Sequence, residues 1–407
     1  MNILIVALEF PYPAIHGARV DILNRIQAFR AAGHKIFLLT WHGVRLGDLA
    51  SSDDIEYVKK IVDVLILFEI KRGLSRYINL FRYPFSVSSR KINSQDFTTI
   101  IKQAPDFNPD FVFIDSIYGA QIGLKIAREL MLPVCVRLHN IEHMYMLGQL
   151  KISKSFITKL KVLASSVHLK SFEIDVLKKS DCFFDISLDD LAFWNSKGFN
   201  HGSWLPPSIG VGHTSAYLQT TIDTEYDICF IGNLSTPNNI NGIMWFVNDV
   251  LPIVRNRFKS IKTLIMGSSP SEELVNVLGN IKGITVLKNP ISIAEYLDAS
   301  KILINPVKFG SGVNIKSVDM LMRDNEVVTT TIGIKGLPKE ISEVFHVHDT
   351  AMDFGNAIIK ILENESNKSS IIRNNIKRYF YEDNIKIVTD AMSQIKNSKV
   401  GKYVNHN

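Results

Sequence analysis

Apolar positions along this chain follow two alternating rhythms. Short unbroken runs rich in Ile, Leu, Val and Phe occur at Asn2–Leu8, Ile36–Trp41, Val62–Phe68, Pro109–Asp115, Pro133–Leu138 and Asp181–Ile186. Their length and β-branched content suit strands covered on both faces. Between the first two lies a stretch with helical spacing, Val20–Ala32, closed by Gly33, and a second such stretch, Gly119–Leu130, follows the fourth run. Strand, helix, strand at this interval predicts a right-handed parallel unit, and such units bind ligands beyond the carboxyl ends of their strands.

The pattern restarts after a linker that runs from Trp204-Leu205-Pro206-Pro207 to about Glu225. New strands are predicted at Tyr226–Asn233, Lys262–Met266, Ile284–Leu287, Ile302–Ile304, Val327–Thr331 and Phe345–Val347. A long helix follows the first of these, with apolar residues at Ile240, Ile243, Met244, Val247, Val250, Leu251 and Val254, and a shorter one is predicted over Val313–Met322. The fold class is therefore α/β, with two tandem Rossmann-like doubly wound domains, 1–210 and 211–383. A last helical segment in 384–407 is expected to return to the first domain, with a disordered tail. No solenoid repeat is visible.

Composition narrows the class without naming a function. The 407 residues are 46% hydrophobic and 21% charged, as in an ordered globular protein of two or three domains. A net charge of +6 suits an anionic ligand or an anionic surface and does not imply nucleic acid. Cys135, Cys182 and Cys229 are widely spaced in apolar surroundings, which argues against a disulfide framework and for a reducing cytoplasm. Met1–Glu9 lacks a basic flank and a small-residue cleavage site, so it reads as the first strand and not as a leader. No run approaches the roughly 18 to 20 apolar residues that span a bilayer.

Two basic regions bear on partners. Arg72, Arg76, Arg82 and Arg90 are interleaved with Tyr77, Phe81, Tyr83 and Phe85, a pattern that suits an acceptor or a membrane, or equally solvated arginines around loop-packed aromatics. Lys151, Lys154, Lys159, Lys161, Lys170, Lys178 and Lys179 are spread among Phe156, Ile157, Leu160, Leu163 and Val167. Such a helix pair can lie on anionic lipid at the inner face of a membrane, or be a plain amphipathic surface.

Candidate chemistry gathers at strand ends. The run Ile302–Ile304 stops at Asn305-Pro306, and Gly310, Ser311 and Gly312 then lead through Val313 and Asn314 into a helix carrying Lys316 and Asp319. Glycines there let backbone approach a ligand, and the two charged residues share one helix face, a cation for a diphosphate and a carboxylate for ribose hydroxyls. Gly17 precedes the first helix of the first domain, and Pro133–Leu138 delivers His139, Asn140, Ile141, Glu142 and His143. The last five fit an inverted zinc signature, His-x-x-Glu-His, which requires a helix and a further ligand, whereas here a strand leads directly into His139. Asp189 and Asp190 after Ser187 read as a capping box and not as a metal motif.

The ordered set Phe230-Ile231-Gly232, Pro237-Asn238-Asn239, Met266-Gly267-Ser268, Asn305-Pro306, Gly310–Asp319, Thr329–Thr331 with Gly333, and Gly336-Leu337 resembles the donor half of retaining GT-B glycosyltransferases of the family 4 type. Gly17 and Arg137–Glu142 resemble the facing half-site. The resemblance implies transfer of a sugar from a nucleotide diphosphate sugar to a hydroxyl of a glycan or lipid-linked glycan, in assembly of cell-surface polysaccharide or glycolipid. It implies no metal and no cofactor beyond that co-substrate, whose base is unspecified. Lys316 would meet the departing diphosphate, Asp319 the ribose, His139 the donor sugar or acceptor, and Glu142 would orient His139 or the sugar. Gly17, Arg137, Gly232, Asn233, Gly267, Ser268, Asn289, Gly310, Ser311, Gly312, Val313 and Asn314 would line the nucleotide site. Members commonly carry two glutamates where this chain has Ser311 and Asp319, and an arginine and lysine where it has Asn233 and the Asn238-Asn239 pair. Those departures keep open a nucleotide-sugar epimerase or a catalytically silent nucleotide-binding subunit.

Overall fold

A computed structural model describes residues 1–14, 17–44, 47–70, 83–152, 156–209, 225–290, 293–310, 312–363, 377–380 and 382–404. Arg72, Arg76, Tyr77, Phe81, Arg82, Lys154 and Ser311 lie outside the described residues. The chain divides into two units. One comprises Met1–Ala14, Ala18–Gly210 and Tyr381–Asn407, the other Ile15–Gly17 and Val211–Phe380.

The first unit holds strands β1 (Asn2–Ala7), β2 (Lys35–His42), β3 (Val64–Glu69), β4 (Phe111–Asp115), β5 (Val134–Leu138), β6 (Cys182–Asp185) and β7 (Gly202–Trp204). They form one sheet in the order β3-β2-β1-β4-β5-β6-β7, with every pairing parallel. Helices α1 (Gly17–Ala31), α2 (Ser52–Ile61), α3 (Ser94–Phe107), α4 (Ala120–Glu129), α5 (Glu142–Ile152), α6 (Phe156–Ser166), α7 (Leu169–Lys179) and α8 (Leu188–Ser196) connect them. Alternation along β1 explains why its sequence is apolar throughout. Leu4 and Val6 enter a core shared with Ile122 and Ile126 of α4 and Val176 of α7. Ile3, Ile5 and Ala7 enter the opposite core, with Ile22, Ile26 and Phe29 of α1.

Two helices that hydrophobic periodicity leaves unread, α2 and α3, start at polar caps. Ser51 accepts from the Asp54 amide while Asp54 accepts from the Ser51 amide, and Asn93 accepts from the amide of Asp96. β7 is short and carries Gly202 and Ser203, so no apolar run marks it.

The second unit contains β8 (Tyr226–Asn233), β9 (Thr263–Ser268), β10 (Ile284–Lys288), β11 (Ser300–Asn305), β12 (Glu326–Thr329) and β13 (His346–Val347), in the order β10-β9-β8-β11-β12-β13, again all parallel. The helix predicted from the 240–254 periodicity is α9 (Pro237–Trp245) running through a π turn, Phe246–Val250, into α10 (Leu251–Arg257). Pro252 has no amide to donate and its ring crowds the carbonyl one turn back, which accounts for the widening there. Helices α11 (Glu272–Gly279), α12 (Ala294–Asp298), α13 (Ile315–Leu321) and α14 (Ala351–Leu362) complete the unit. The helix predicted over Val313–Met322 starts two residues later, because Asn314 is its N-cap in extended conformation. The final helix, α15 (Glu382–Val404), belongs to the first unit, where Ile385, Val388 and Met392 join the core beneath α1. The chain thus forms two Rossmann-like units, the fold class expected of GT-B proteins.

Candidate functional site

In both sheets the strand order reverses beside the first strand of the unit, between β1 and β4 and between β8 and β11. Loops leaving neighbouring strands on opposite sides of such a point part and leave a crevice. In the second unit the loops concerned are 234–236 and 306–314, and Lys316 stands one residue inside α13, just beyond the second.

The Lys316 ammonium donates to Asn239 Oδ1 at 2.5 Å and lies 4.7 Å from the centroid of the Phe230 ring. Among the described residues no carboxylate is within ion-pair distance of it. Burial alone holds its pKa down, to about 7. Asn239 comes from α9, which is brought close by Gly242: a Cβ there would lie 2.8 Å from the Pro306 carbonyl oxygen. Gly312, at φ 69°, takes the left-handed turn that leads into Val313 and Asn314. The Asn314 side-chain Nδ2 donates to the Ile332 carbonyl at 2.9 Å, and buried Ser317 bridges Asn305 and the Gly333 carbonyl at 2.8 and 2.6 Å. These bonds fix the start of α13 against the 330–334 loop. Gly310 is exposed, and Asp319 is half-buried one turn beyond Lys316.

The remaining nucleotide-site candidates of this unit occupy adjacent strand ends. Gly232 pairs with Gly267 and Asn233 with Ser268 across β8 and β9. Asn233 is turned onto its own loop, accepting from the amide and hydroxyl of Ser235 at 2.8 and 2.6 Å. It therefore shapes the backbone instead of supplying a missing cation. Asn289 follows β10 at φ 46° and accepts from the Ser269 amide at 2.9 Å.

In the first unit, His139 leaves β5 and its Nε2 lies 2.7 Å from Asp115 Oδ1, at the end of β4. Arg137 is fully buried and bonds to Asp21 and, at 3.3 Å, to Asp115. Its expected contact with a diphosphate is thereby corrected: its bonds are made inside the fold, where it organises two carboxylates. Burial works against ionisation of Asp115, but His139, Arg137 and Arg25 outweigh it and hold that carboxyl below its usual range. The orienting partner of His139 is thus Asp115 and not Glu142. Glu142 begins α5 and accepts from the Tyr118 hydroxyl at 2.8 Å. Burial, aided by the nearby Glu173 and opposed by that hydrogen bond, pushes its pKa up to about 7. Gly17, which groups with the second unit, is exposed at the first position of α1.

His143 Nδ1 lies 2.5 Å from Glu173. The two histidines of the apparent zinc signature therefore engage different carboxylates, and His139 precedes the helix that the signature requires. Sequence reasoning missed two residues. Asp115 carried a signal, a carboxylate at a strand end beside the reversal of strand order, but that order is invisible without the sheet. Asn239 was noted only within the Asn238-Asn239 pair that replaces a basic residue of the family pattern, and nothing in the sequence marked it as the partner of Lys316.

Residues 225–364 match the family model described as Glycosyl transferases group 1. Over 383 residues, covering 92% of this chain and 94% of the relative, the sequence is 28% identical to an uncharacterized 44.6 kDa protein in the cps region of Klebsiella pneumoniae. Among solved structures, HepE of Anabaena in complex with UDP aligns over 100% of both chains with a TM-score of 0.59 and 10% identity. Sucrose-phosphate synthase from Thermosynechococcus elongatus aligns over 100% of both chains at 0.61 and 12%. A glycosyltransferase from Rickettsia africae covers 97% of this chain and 98% of its own at 0.62 and 11%.

Proposed function

We propose that this chain, whose residues 225–364 match the group 1 glycosyltransferase model, moves a sugar from a nucleoside diphosphate donor to a hydroxyl of a glycan or lipid-linked glycan, with retention of anomeric configuration. The observation that carries this reading is the Lys316 ammonium at the strand-order reversal, partly buried with a neutral amide and an aromatic face as its partners. A buried cation without a counter-charge is costly. A diphosphate supplies that charge, and a leaving diphosphate gains more of it as the glycosidic bond breaks, which is where a fixed cation lowers a barrier.

Around that centre Gly310, Gly312, Val313 and Asn314 follow the phosphates, and Asp319 takes a ribose hydroxyl. Gly232, Asn233, Gly267, Ser268 and Asn289 frame the nucleoside. His139, held by Asp115, acts on the transferred sugar or the acceptor hydroxyl. Glu142 is half-protonated near pH 7 and bonds to Tyr118, which suits a hydrogen-bonding role towards sugar. Retention is what the family resemblance implies, and given retention, the lack of a carboxylate placed as a nucleophile among the residues assigned here favours front-face departure and attack over a covalent intermediate. HepE was captured with UDP and with UDP-glucose, so uridine is the first base to test, and the relative in a cps region supports a role in capsule-type polysaccharide assembly.

Titration calorimetry with UDP, followed by a screen of nucleotide sugars for transfer and hydrolysis, tests the reading. The wild-type chain binds UDP, and Lys316→Ala binds it roughly tenfold to a hundredfold more weakly, the range for losing a charge-assisted bond, in a protein that still unfolds cooperatively. Equal affinity in both proteins would refute the assignment of Lys316. Binding without any turnover across donors and acceptors would select the silent-subunit alternative, and donor conversion without acceptor an epimerase.

A further inference from the structure

Asn239 is buried, and both ends of its side-chain amide are in use. Nδ2 donates to the Asn233 carbonyl at 2.9 Å, and Oδ1 accepts from Lys316 Nζ at 2.5 Å. The orientation is forced from both directions, since a carbonyl can only accept and an ammonium can only donate. An aspartate would satisfy Lys316 but set a carboxylate against the Asn233 carbonyl. An apolar residue would satisfy neither. A primary amide of this length serves both partners and adds no charge, so Lys316 is held in place without a counter-charge on its holder.

We propose that Asn239 is a positioning residue that holds Lys316 over the anion site without neutralising it, and that this neutrality makes the site select nucleoside diphosphates over less charged nucleotides. The proposal rests on the donor reading above and extends it from the lysine to its holder. Nothing else among the described residues offers Lys316 a hydrogen-bond acceptor, so the charge seen by a bound phosphate depends on what stands at position 239. Phe230, the other group against the amine, contributes a ring face that excludes water and adds no formal charge.

The experiment is calorimetric titration of the full-length protein with UDP and with UMP, for wild type, Asn239→Asp, Asn239→Ala, Lys316→Met and the two double variants. Asn239→Asp keeps an acceptor for the lysine but turns the contact into an ion pair. It is expected to weaken UDP binding roughly tenfold or more and to narrow the UDP preference over UMP. Asn239→Ala removes the holder without adding charge and is expected to fall between wild type and the aspartate. In the Lys316→Met background the alanine change should lose most of its effect, the non-additivity expected of residues in direct contact, whereas the aspartate, stripped of its counter-ion, still repels the diphosphate. A purely structural amide, bracing the Asn233 loop, predicts equal losses in Asp and Ala variants that persist without the lysine, and that result overturns the proposal. So does an Asn239→Asp protein that binds UDP as the wild type does. If the aspartate variant does not fold, the alanine arm carries the same cycle. A wild-type chain that binds neither UDP nor any other nucleoside diphosphate would sink the donor reading itself, and this proposal with it.

Discussion

Lys316 is placed where its proton is negotiable. Burial lowers its pKa from an ordinary 10.5 to about 7, whereas a bound diphosphate would favour the charged amine and raise it again. Below pH 7 the free site is already protonated, and above it the amine is largely neutral. Binding of UDP should therefore take up close to one proton at pH 8 and little at pH 6. Calorimetry in buffers of differing ionisation enthalpy reads this directly, and Lys316→Met should abolish the difference. The same shift has a sign for stability. Between about pH 7 and 10.5 the unfolded chain binds more protons at this residue than the folded one, so the lysine's contribution rises with pH across that window.

The lysine itself was legible in the sequence, because a Gly-x-Gly turn after an apolar run marks it. What the sequence did not disclose was its setting. Asn239 precedes it by a whole run of strands, and in sequence it reads only as a neutral replacement for a basic residue until the lysine is found on it. The same holds for Asp115, whose bonds to Arg137 and His139 depend on β4 lying beside β5. Arg137 misled for the opposite reason. An arginine at a strand end looks available for a phosphate, and only the approach of Asp21 from α1 reveals that it is enclosed.

At the scale of elements, strands were legible wherever both faces are covered, since a parallel strand between two helical layers must be apolar throughout. Elements set by polar caps or by neighbours, such as α2, α3 and β7, left no comparable trace. The pair α5 and α6 shows a different mismatch. Met144, Leu147, Leu160, Leu163 and Val167 are exposed, close in sequence to the exposed Lys159 and Lys170. Apolar side chains beside lysines on surface helices have the chemistry of an anionic lipid interface. Wild-type protein is expected to co-sediment with vesicles containing phosphatidylglycerol and to be released by added salt. Leu147→Glu with Leu163→Glu should weaken that association without changing UDP affinity. Equal sedimentation of both proteins would assign these residues to the ordinary exposed apolar surface of a folded chain.

At the scale of the molecule, the chain leaves the first unit after Gly210 and returns to it at Tyr381. Both passages are tied to one buried cluster in that unit. Arg25 donates to Asn384 at 2.7 Å and to the Pro206 carbonyl at 3.0 Å, Asn384 donates to the carbonyls of Pro206 and Pro207, and Asp21 accepts from the Ser208 amide at 2.9 Å. Asp21 also holds Arg137, and through Asp115 the connection reaches His139. The sequence suggested a last helix returning to the first domain, but this cluster within the first unit had no linear signature, since its members come from α1, the linker and α15.

The central claim is that the Lys316 amine meets the diphosphate of a sugar nucleotide. A crystal structure of the full chain with UDP tests it most directly. The account predicts the β-phosphate within hydrogen-bonding distance of Lys316 Nζ, with Asn239 still on the amine and the nucleoside near Asn289. UDP bound elsewhere in the molecule, or a phosphate group out of reach of that amine, would contradict it.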